Sequence, residues 1–455
     1  MCDAPERHNW KGDLSYVPCV VAQAHSVDDI VRIVKDRERY PSPVRAAGSQ
    51  HSTTLCIEAN GGTIVDVTKL DRILAIDDQA LTITMQPGVR YVDAARALEK
   101  VGLAFHSNVE IGNSTVGSLA CCSTKESSFP GAYSQASSYL IAARMVLPSG
   151  EIREVDEREP ELLRVVRSSF GLLGILCEVT FRVRKLQALE VCHVSYSLHA
   201  FADHLPRLIA EAQQTDRSFM MYQFPHIDRV VVEYLRYADG PIRSHWQWRL
   251  RNWLWRTVAP GFGRLVTDNV PTRWLRDRLY NTFERLCVAA LTVAIRGKAT
   301  SPPDQIVRYA ETAGYAAMTF SIWTFPEHEF SETIRAYFQF CKDYYRQHGF
   351  RCDMPNGGYL VAKDTRSLFS YSSKEAMLTI DPATNGIAGW NAFLVAYNAF
   401  AIARHGRPLI NLTTWLTHDQ ARIAFGEEMA VFQKFRRQFD PTDRLYSGFF
   451  RALFG

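Results

Sequence analysis

At 455 residues, with 47% hydrophobic and 22% charged residues, the chain can bury a large core, and its length suits about two or three domains of ordinary globular composition. A formal charge of +4 is small for this length and gives no reason to expect a nucleic-acid partner. The first eighteen residues, MCDAPERHNWKGDLSYVP, hold no apolar stretch of the signal-peptide kind, and the strongest apolar run, Leu286 to Ile295, is too short to cross a bilayer, so a cytoplasmic protein is expected.

Taken in chain order, Ser26-Val-Asp-Asp29 has the form of a capping box, and Val27, Ile30, Val31 and Val34 follow at helical spacing, which predicts a helix over 26–38. After Pro41 and Pro43, Val44 to Ala47 reads as a short buried strand ending at Gly48. Thr63 to Val67 reads as another. Leu81 to Met85 is a strand stopped by Pro87-Gly88, and Val92, Ala95, Leu98 and Val101 trace a helix that ends at Gly102. Tyr139 to Leu147 and Glu151 to Val155 are strands joined by Pro148-Ser-Gly150, and Glu161 to Ser169 is helical. Cys177 to Val183 alternates like a strand with one wet face. Beyond about residue 190 the texture changes to aromatic strands (Met220 to Phe224, Val230 to Tyr237) and a helix over Glu329 to Gln347. The chain is therefore expected to be α+β.

Common nucleotide and hydrolase signatures are absent: no GxGxxG follows a strand, and there is no Walker A loop, HExxH or GxSxG. Ten cysteines at irregular spacing, without a CxxC pair, suggest buried thiols, neither a disulfide framework nor a metal site. Two small-residue loops remain, Gly48-Ser-Gln-His-Ser52 and Gly112-Asn-Ser-Thr-Val-Gly-Ser118. Successive amides in such turns can cradle a pyrophosphate, although by spacing alone such loops are more often plain turns.

The blocks Val44-Arg-Ala-Ala-Gly-Ser-Gln-His-Ser52, Thr63-Ile-Val-Asp-Val67, Gln86-Pro-Gly88, Thr115-Val-Gly-Ser118, Ala143-Arg-Met-Val-Leu-Pro-Ser-Gly150 and Phe170-Gly-Leu-Leu-Gly-Ile-Leu-Cys-Glu-Val-Thr180 resemble, in order and interval, the FAD-binding domain of the vanillyl-alcohol-oxidase/p-cresol-methylhydroxylase family. Within it the chain is similar to the aldonolactone and alditol oxidase branch, and Phe439-Asp-Pro-Thr-Asp-Arg-Leu445 resembles that branch's C-terminal return to the flavin domain. The resemblance implies a two-domain FAD-linked oxidase fold. Residues 1–188 would bind the flavin, 189–425 would form a substrate (cap) domain with a large antiparallel sheet, and 426–455 would return to the first domain. It also implies cofactor contacts at Arg45, Ala47, Gly48, Ser49, Gln50, His51, Ser52, Gly112, Ser114, Thr115, Gly117, Ser118 and Ile175, and a covalent bond from His51 to the flavin. Cys56, Cys121 and Cys122 are further candidate attachment points.

Measured against that branch, the substrate side departs. Ile322 is the nearest match to an active-site glutamate, Leu409-Ile-Asn-Leu412 lacks a lysine, and Lys125 stands where relatives carry a histidine. Tyr359, Lys363 and Asn411 are the candidate catalytic replacements, with Tyr371 beside them, while His226, His328 and His405 read as structural. The stretch 243–278 interleaves tryptophans with arginines. It is read either as an insertion packed on the substrate domain, its long helix interrupted by Pro260, Gly261, Gly263 and Pro271, or as a peripheral membrane contact.

The expected activity is hydride transfer from an alcohol, lactol or similar C–H bond of a small molecule to FAD, with oxygen or another acceptor reoxidising it and a standard sugar lactone disfavoured as substrate. Alternatives are an FAD dehydrogenase acting on a lipid-linked or apolar substrate at a membrane, and a non-catalytic flavin-binding protein.

Overall fold

A computed structural model describes residues 6–242, 246–293, 299–310, 314 and 317–455. Residues 243–245 of the Trp/Arg stretch and 294–295 of the apolar run lie outside the described residues. No helix among the described residues is long and apolar enough to cross a membrane.

The N-terminal part opens with a parallel three-stranded sheet in the order Val20–Gln23, Thr63–Asp66, Val44–Ala47. Helix Val27–Lys35 connects its two outer strands, Val20–Gln23 and Val44–Ala47. Ser26 accepts from the Asp29 amide while Asp29 accepts back from the Ser26 amide, which completes the capping box. A larger antiparallel sheet follows, in the order Ile152–Asp156, Leu140–Val146, Ile175–Lys185, Thr82–Met85, Ile73–Asp77, with Leu103–Phe105 on the far half of the long strand. Each expected element in this region is present within a few residues of its expected ends.

From Ala188 the chain builds a seven-stranded antiparallel sheet in the order Ala188–Ser197, Arg229–Ala238, Arg217–Phe224, Asn356–Val361, Met377–Ile380, Trp323–Pro326, Arg407–Pro408. Period-two alternation decides what each face meets. Phe219, Met221, Trp323, Phe325, Leu360 and Leu378 turn toward helices Leu198–Gln214, Phe330–His348 and Trp390–Ile402 and close an aromatic-rich core. Their neighbours Met220, Tyr222, Ile322, Tyr359 and Met377 turn the other way. That second face is the one opposed to the N-terminal part.

Helices His418–Phe439 and Gly448–Phe454 carry the chain back. Phe425, Phe432, Tyr446, Phe450 and Leu453 share a core with Ile83, Leu98, Leu140 and Phe170. Between them, the buried Arg444 guanidinium donates to the carbonyls of Ile33 and Val34 and to Ser42 Oγ, and its own carbonyl accepts from the Val44 amide.

The Trp/Arg stretch corrects one expectation. Pro260, Gly261 and Gly263 do not interrupt it: Trp246–Trp253 runs through a π-helical turn, Leu254–Val258, straight into Ala259–Asn269. The widened turn lies just ahead of Pro260, which has no N–H to donate backward, so the helix absorbs the proline without ending. Pro271 does end it, and Arg273–Val293 starts anew.

Candidate functional site

Strand Val44–Ala47 delivers the chain into Gly48–Ser52, and the turn before helix Val116–Cys121 brings Ser114 and Thr115 against it. Contact is close enough that a Cβ on Gly48 would stand 2.3 Å from Thr115 Oγ1, and one on Gly117 2.6 Å from Pro87 Cβ. Gln50 adopts φ = 57°, the left-handed conformation that occurs in anion-binding turns. Among the described residues, the amides of Gly48, Ser49, Gln50, Ser52 and Thr115 donate to no protein group. A row of unspent donors is costly unless something accepts from them, and an anion is the natural acceptor.

These loops form one wall of a cavity of about 280 Å³. Of the expected cofactor contacts, Arg45, Gly48, Ser49, Gln50, His51, Ser52, Ser114, Thr115, Gly117 and Ser118 line it. Ala47, Gly112 and Ile175 are not among its lining residues. Ala47 packs with Tyr16, Ala59 and Ile64, and the Gly112 amide is spent on the Val307 carbonyl. Ile175 points into the core of the parallel sheet, while its strand neighbours Gly174 and Leu176 line the cavity. Arg45 donates to the carbonyls of Cys56, Phe170, Gly171 and Leu445. Its fully buried guanidinium, with a pKa lowered chiefly by burial, thereby ties the loop to the C-terminal return. His51 borders the cavity with its ring stacked on Trp10, centroids 4.8 Å apart. Cys56, Cys121 and Cys122 also line the wall. Among the described residues eight cysteines are free thiols, while Cys19 is disulfide-bonded.

The opposite end of the cavity is charged. Tyr359 projects from strand Asn356–Val361 and donates to Glu110 Oε2 at 3.1 Å. Lys125 Nζ lies 3.4 Å from the centre of the Tyr359 ring and 3.0 Å from Asp381 Oδ2. Glu126 accepts from the Glu110 amide at 3.4 Å. Arg251 reaches in from helix Trp246–Trp253, with one nitrogen 3.5 Å from Glu110 Oε1 and 3.2 Å from the Tyr222 hydroxyl. Behind it Tyr222 donates to Glu233, which His193 meets at 2.8 Å. Burial, then the charge of Glu110, pushes the Glu126 carboxyl well above the usual range. Burial raises Asp381 as well, against the pull of Lys125. The Tyr359 phenol is pushed far up by burial and by the carboxylates around it, and it is therefore neutral. Burial opposes charge on Arg251, but Tyr222, Glu233 and Glu110 outweigh it and hold the guanidinium above its ordinary value.

Among the candidate catalytic residues, Tyr359 and Asn411 line the cavity and Lys363 does not. Lys363 lies two residues past the end of the strand and is exposed. Asn411 spends its side chain on Ser123, accepting from the amide at 3.1 Å and donating to the carbonyl at 3.0 Å, and its own carbonyl accepts from Ser52 Oγ. Tyr371 is buried away from the cavity on the Thr124 carbonyl. Ile322 and Leu412 give the cavity apolar walls where the departures from the aldonolactone branch fall. His328 and His405 pair with Glu375 and Glu329, and His226 packs against Tyr345; none of the three lines the cavity. Sequence reasoning missed Glu110, Glu126, Asp381 and Tyr222 as site residues and read the arginines of the Trp/Arg stretch as facing water or lipid. The one available signal was Asp381, an acid directly after the apolar strand Met377–Ile380.

Residues 18–156 match the FAD binding domain family model. The chain is 24% identical over 298 residues to L-gulono-1,4-lactone dehydrogenase of Mycobacterium tuberculosis, an alignment covering 62% of this chain and 67% of that one. It is 23% identical over 255 residues to L-gulonolactone oxidase of Bos taurus, covering 56% and 55%. To D-arabinono-1,4-lactone oxidase of Eremothecium gossypii it is 30% identical over 181 residues, covering 38% and 33%. The chain thus spans between about a third and two thirds of the length of these relatives. Among solved structures, a cholesterol oxidase from Brevibacterium sterolicum (His121Ala mutant) superposes with a TM-score of 0.74 at 13% identity, covering 99% of this chain and 97% of that one. A solvent-stable cholesterol oxidase gives 0.72 at 15%, covering 99% and 97%. At such identities the likeness is one of fold.

Proposed function

We propose, from the premise that this chain belongs to the vanillyl-alcohol-oxidase/p-cresol-methylhydroxylase family of flavoproteins, that it is an FAD-dependent oxidoreductase oxidising the CH–OH group of a small molecule with a substantial apolar body. The observation that carries this reading is the cavity itself: amides of Gly48, Ser49, Gln50, Ser52 and Thr115 unspent among the described residues on one wall, and Tyr359, Glu110, Lys125 and Asp381 on the other. Residues 1–188, with 426–455 returned to them, would be the flavin domain, and 189–425 the substrate domain.

The amides and the left-handed Gln50 fit a pyrophosphate, and FAD, when bound, supplies the hydride acceptor. The chain's own part is to bind, orient and move a proton. Oxidation takes a hydride from the substrate carbon and a proton from its hydroxyl, leaving a carbonyl. Tyr359 would accept a hydrogen bond from that hydroxyl while its own hydroxyl donates to Glu110, so the leaving proton has a two-step path onto a carboxylate. Lys125, fixed between the Tyr359 ring and Asp381, would hold the substrate oxygen by charge. Ile322 and Leu412 offer no anchor for a polyol, which favours an apolar body over a sugar lactone. Asn411 would be a positioning residue, clamping Ser123 and Ser52 together.

His51 stands at the cavity edge, oriented by Trp10, and is the residue we assign to a covalent flavin bond. Yellow colour surviving acid precipitation, and lost from the pellet in His51→Ala, is the expected result; colour released from the wild-type pellet overturns the bond. For the chemistry, anaerobic addition of apolar alcohols should bleach the flavin. Tyr359→Phe should keep its flavin and bleach about 10²–10⁴-fold more slowly. A Tyr359→Phe rate equal to wild type would remove the proton path.

A further inference from the structure

Helix Trp246–Trp253 and the π turn after it have two unlike sides. Inward, Trp248 is 1% exposed, Arg251 enters the polar cluster and Trp255 lines the cavity. Outward stand Trp246 at 61%, Leu250 at 38%, Trp253 at 47% and Leu254 at 38% exposed. Their spacing of four, seven and eight residues from Trp246 makes one stripe along the helix. Helix Arg273–Val293 packs its inner residues Cys287, Val288 and Leu291 in the same cluster as Trp255 and exposes Trp274, Leu275, Leu286 and Val293. Across 246–293 eight arginines (249, 251, 256, 264, 273, 276, 278, 285) face three acids (Asp268, Asp277, Glu284). Arg249, Arg276, Arg278 and Arg285 enter no ion pair among the described residues. Arg278 instead lies over the exposed Trp274 ring, 5.1 Å from its centre.

Eight arginines against three acids give this face an excess of positive charge, so the complementary occupant is an anionic one that also accepts indoles. Indoles among headgroups and guanidinium groups against phosphates is the chemistry of an anionic bilayer surface. We infer that the outward side of 246–293 docks on an anionic lipid surface and that the same helices pass a hydroxyl-bearing lipid from it to the cavity. Trp255 and Arg251 are the link, because they sit on the inner side of the docking helix and border the site. The choice of substrate rests on the oxidoreductase reading; the membrane contact does not.

The test is flotation of the full-length holoprotein with vesicles of phosphatidylcholine alone and of phosphatidylcholine with phosphatidylglycerol, at low and high salt. The protein should float with the anionic vesicles, less with the neutral ones, and less again at high salt. Trp246→Ser/Trp253→Ser and, separately, Arg249→Glu should each weaken binding about tenfold or more while the flavin spectrum stays unchanged. Absence of flotation with anionic vesicles at low salt overturns the docking. So does a concentration-dependent dimer, seen by sedimentation velocity, that Trp246→Ser/Trp253→Ser dissolves in a protein that does not float. For the substrate, a vesicle-borne long-chain alcohol should bleach the flavin faster than the same alcohol below its solubility limit without vesicles. Equal rates overturn the delivery while leaving the oxidoreductase reading intact, and flotation of a protein that purifies without flavin and takes up none would leave the docking standing and remove the oxidoreductase reading together with the delivery.

Discussion

Glu126 holds its carboxyl in the cavity wall beside Glu110, and burial and that neighbour push its pKa well above the carboxylate norm. The folded chain therefore keeps a proton that the unfolded chain releases, over the window from the ordinary carboxylate pKa up to the raised one. Stability falls as pH climbs through that window, because there the folded state binds more protons than the unfolded one. Glutamine at 126 has nothing to titrate and can still accept from the Glu110 amide. Glu126→Gln should thus melt higher than wild type near pH 8, and the gap should shrink toward pH ~3, where both states of the wild-type residue are protonated. Thermal unfolding at the two pH values measures it; a gap that does not change with pH would mean that Glu126 is not the proton holder.

At the level of elements, the strand that leads into the cavity is held from behind. Arg444 sits in the C-terminal return with its guanidinium spent on Ile33, Val34 and Ser42, and its carbonyl receives the Val44 amide at the start of that strand. Among the described residues no carboxylate pairs with it directly; its cost of burial is met by neutral acceptors, which must stay in place. Arg444→Met keeps the aliphatic bulk and leaves those acceptors without their donors. The expected loss is about 2–4 kcal/mol, read by chemical denaturation, together with weaker flavin retention, because the loop at Gly48 follows directly from the strand. Loss of stability with unchanged flavin content would show that the return stabilises the fold without shaping the cradle. Helix Trp246–Trp253 and its continuation through Ala259–Asn269 illustrate the opposite case, in which a local rule yields. The π turn lets the chain pass Pro260, and the uninterrupted helix is what carries Arg251 and Trp255 inward.

Over the whole molecule, the parts legible in the sequence are those whose signal is local. The capping box at Ser26, the strand running into Gly48 and the glycine-bearing loops read at 48–52 and 112–118 each carry their own pattern, and the fold places Gly48 against Thr115. At the charged end of the cavity Tyr359 and Lys125 were legible, but Glu110, Arg251 and Asp381 were not, because these five come from segments far apart in the chain and only the packing of the cap sheet on the N-terminal part brings them together. Alternation explains the finer misses as well: within a block, Gly174 and Leu176 face the cavity and Ile175 faces the core. Lys363 failed for a related reason, lying past the end of the strand that aims Tyr359. The central claim is that the two loops close on one FAD, and the visible absorption spectrum of the purified chain tests it most directly. A flavin spectrum near one FAD per chain is expected for wild type, with most of it lost in Gly48→Ala, where the added Cβ would stand 2.3 Å from Thr115 Oγ1. A colourless wild-type protein that takes up no added FAD would contradict the account.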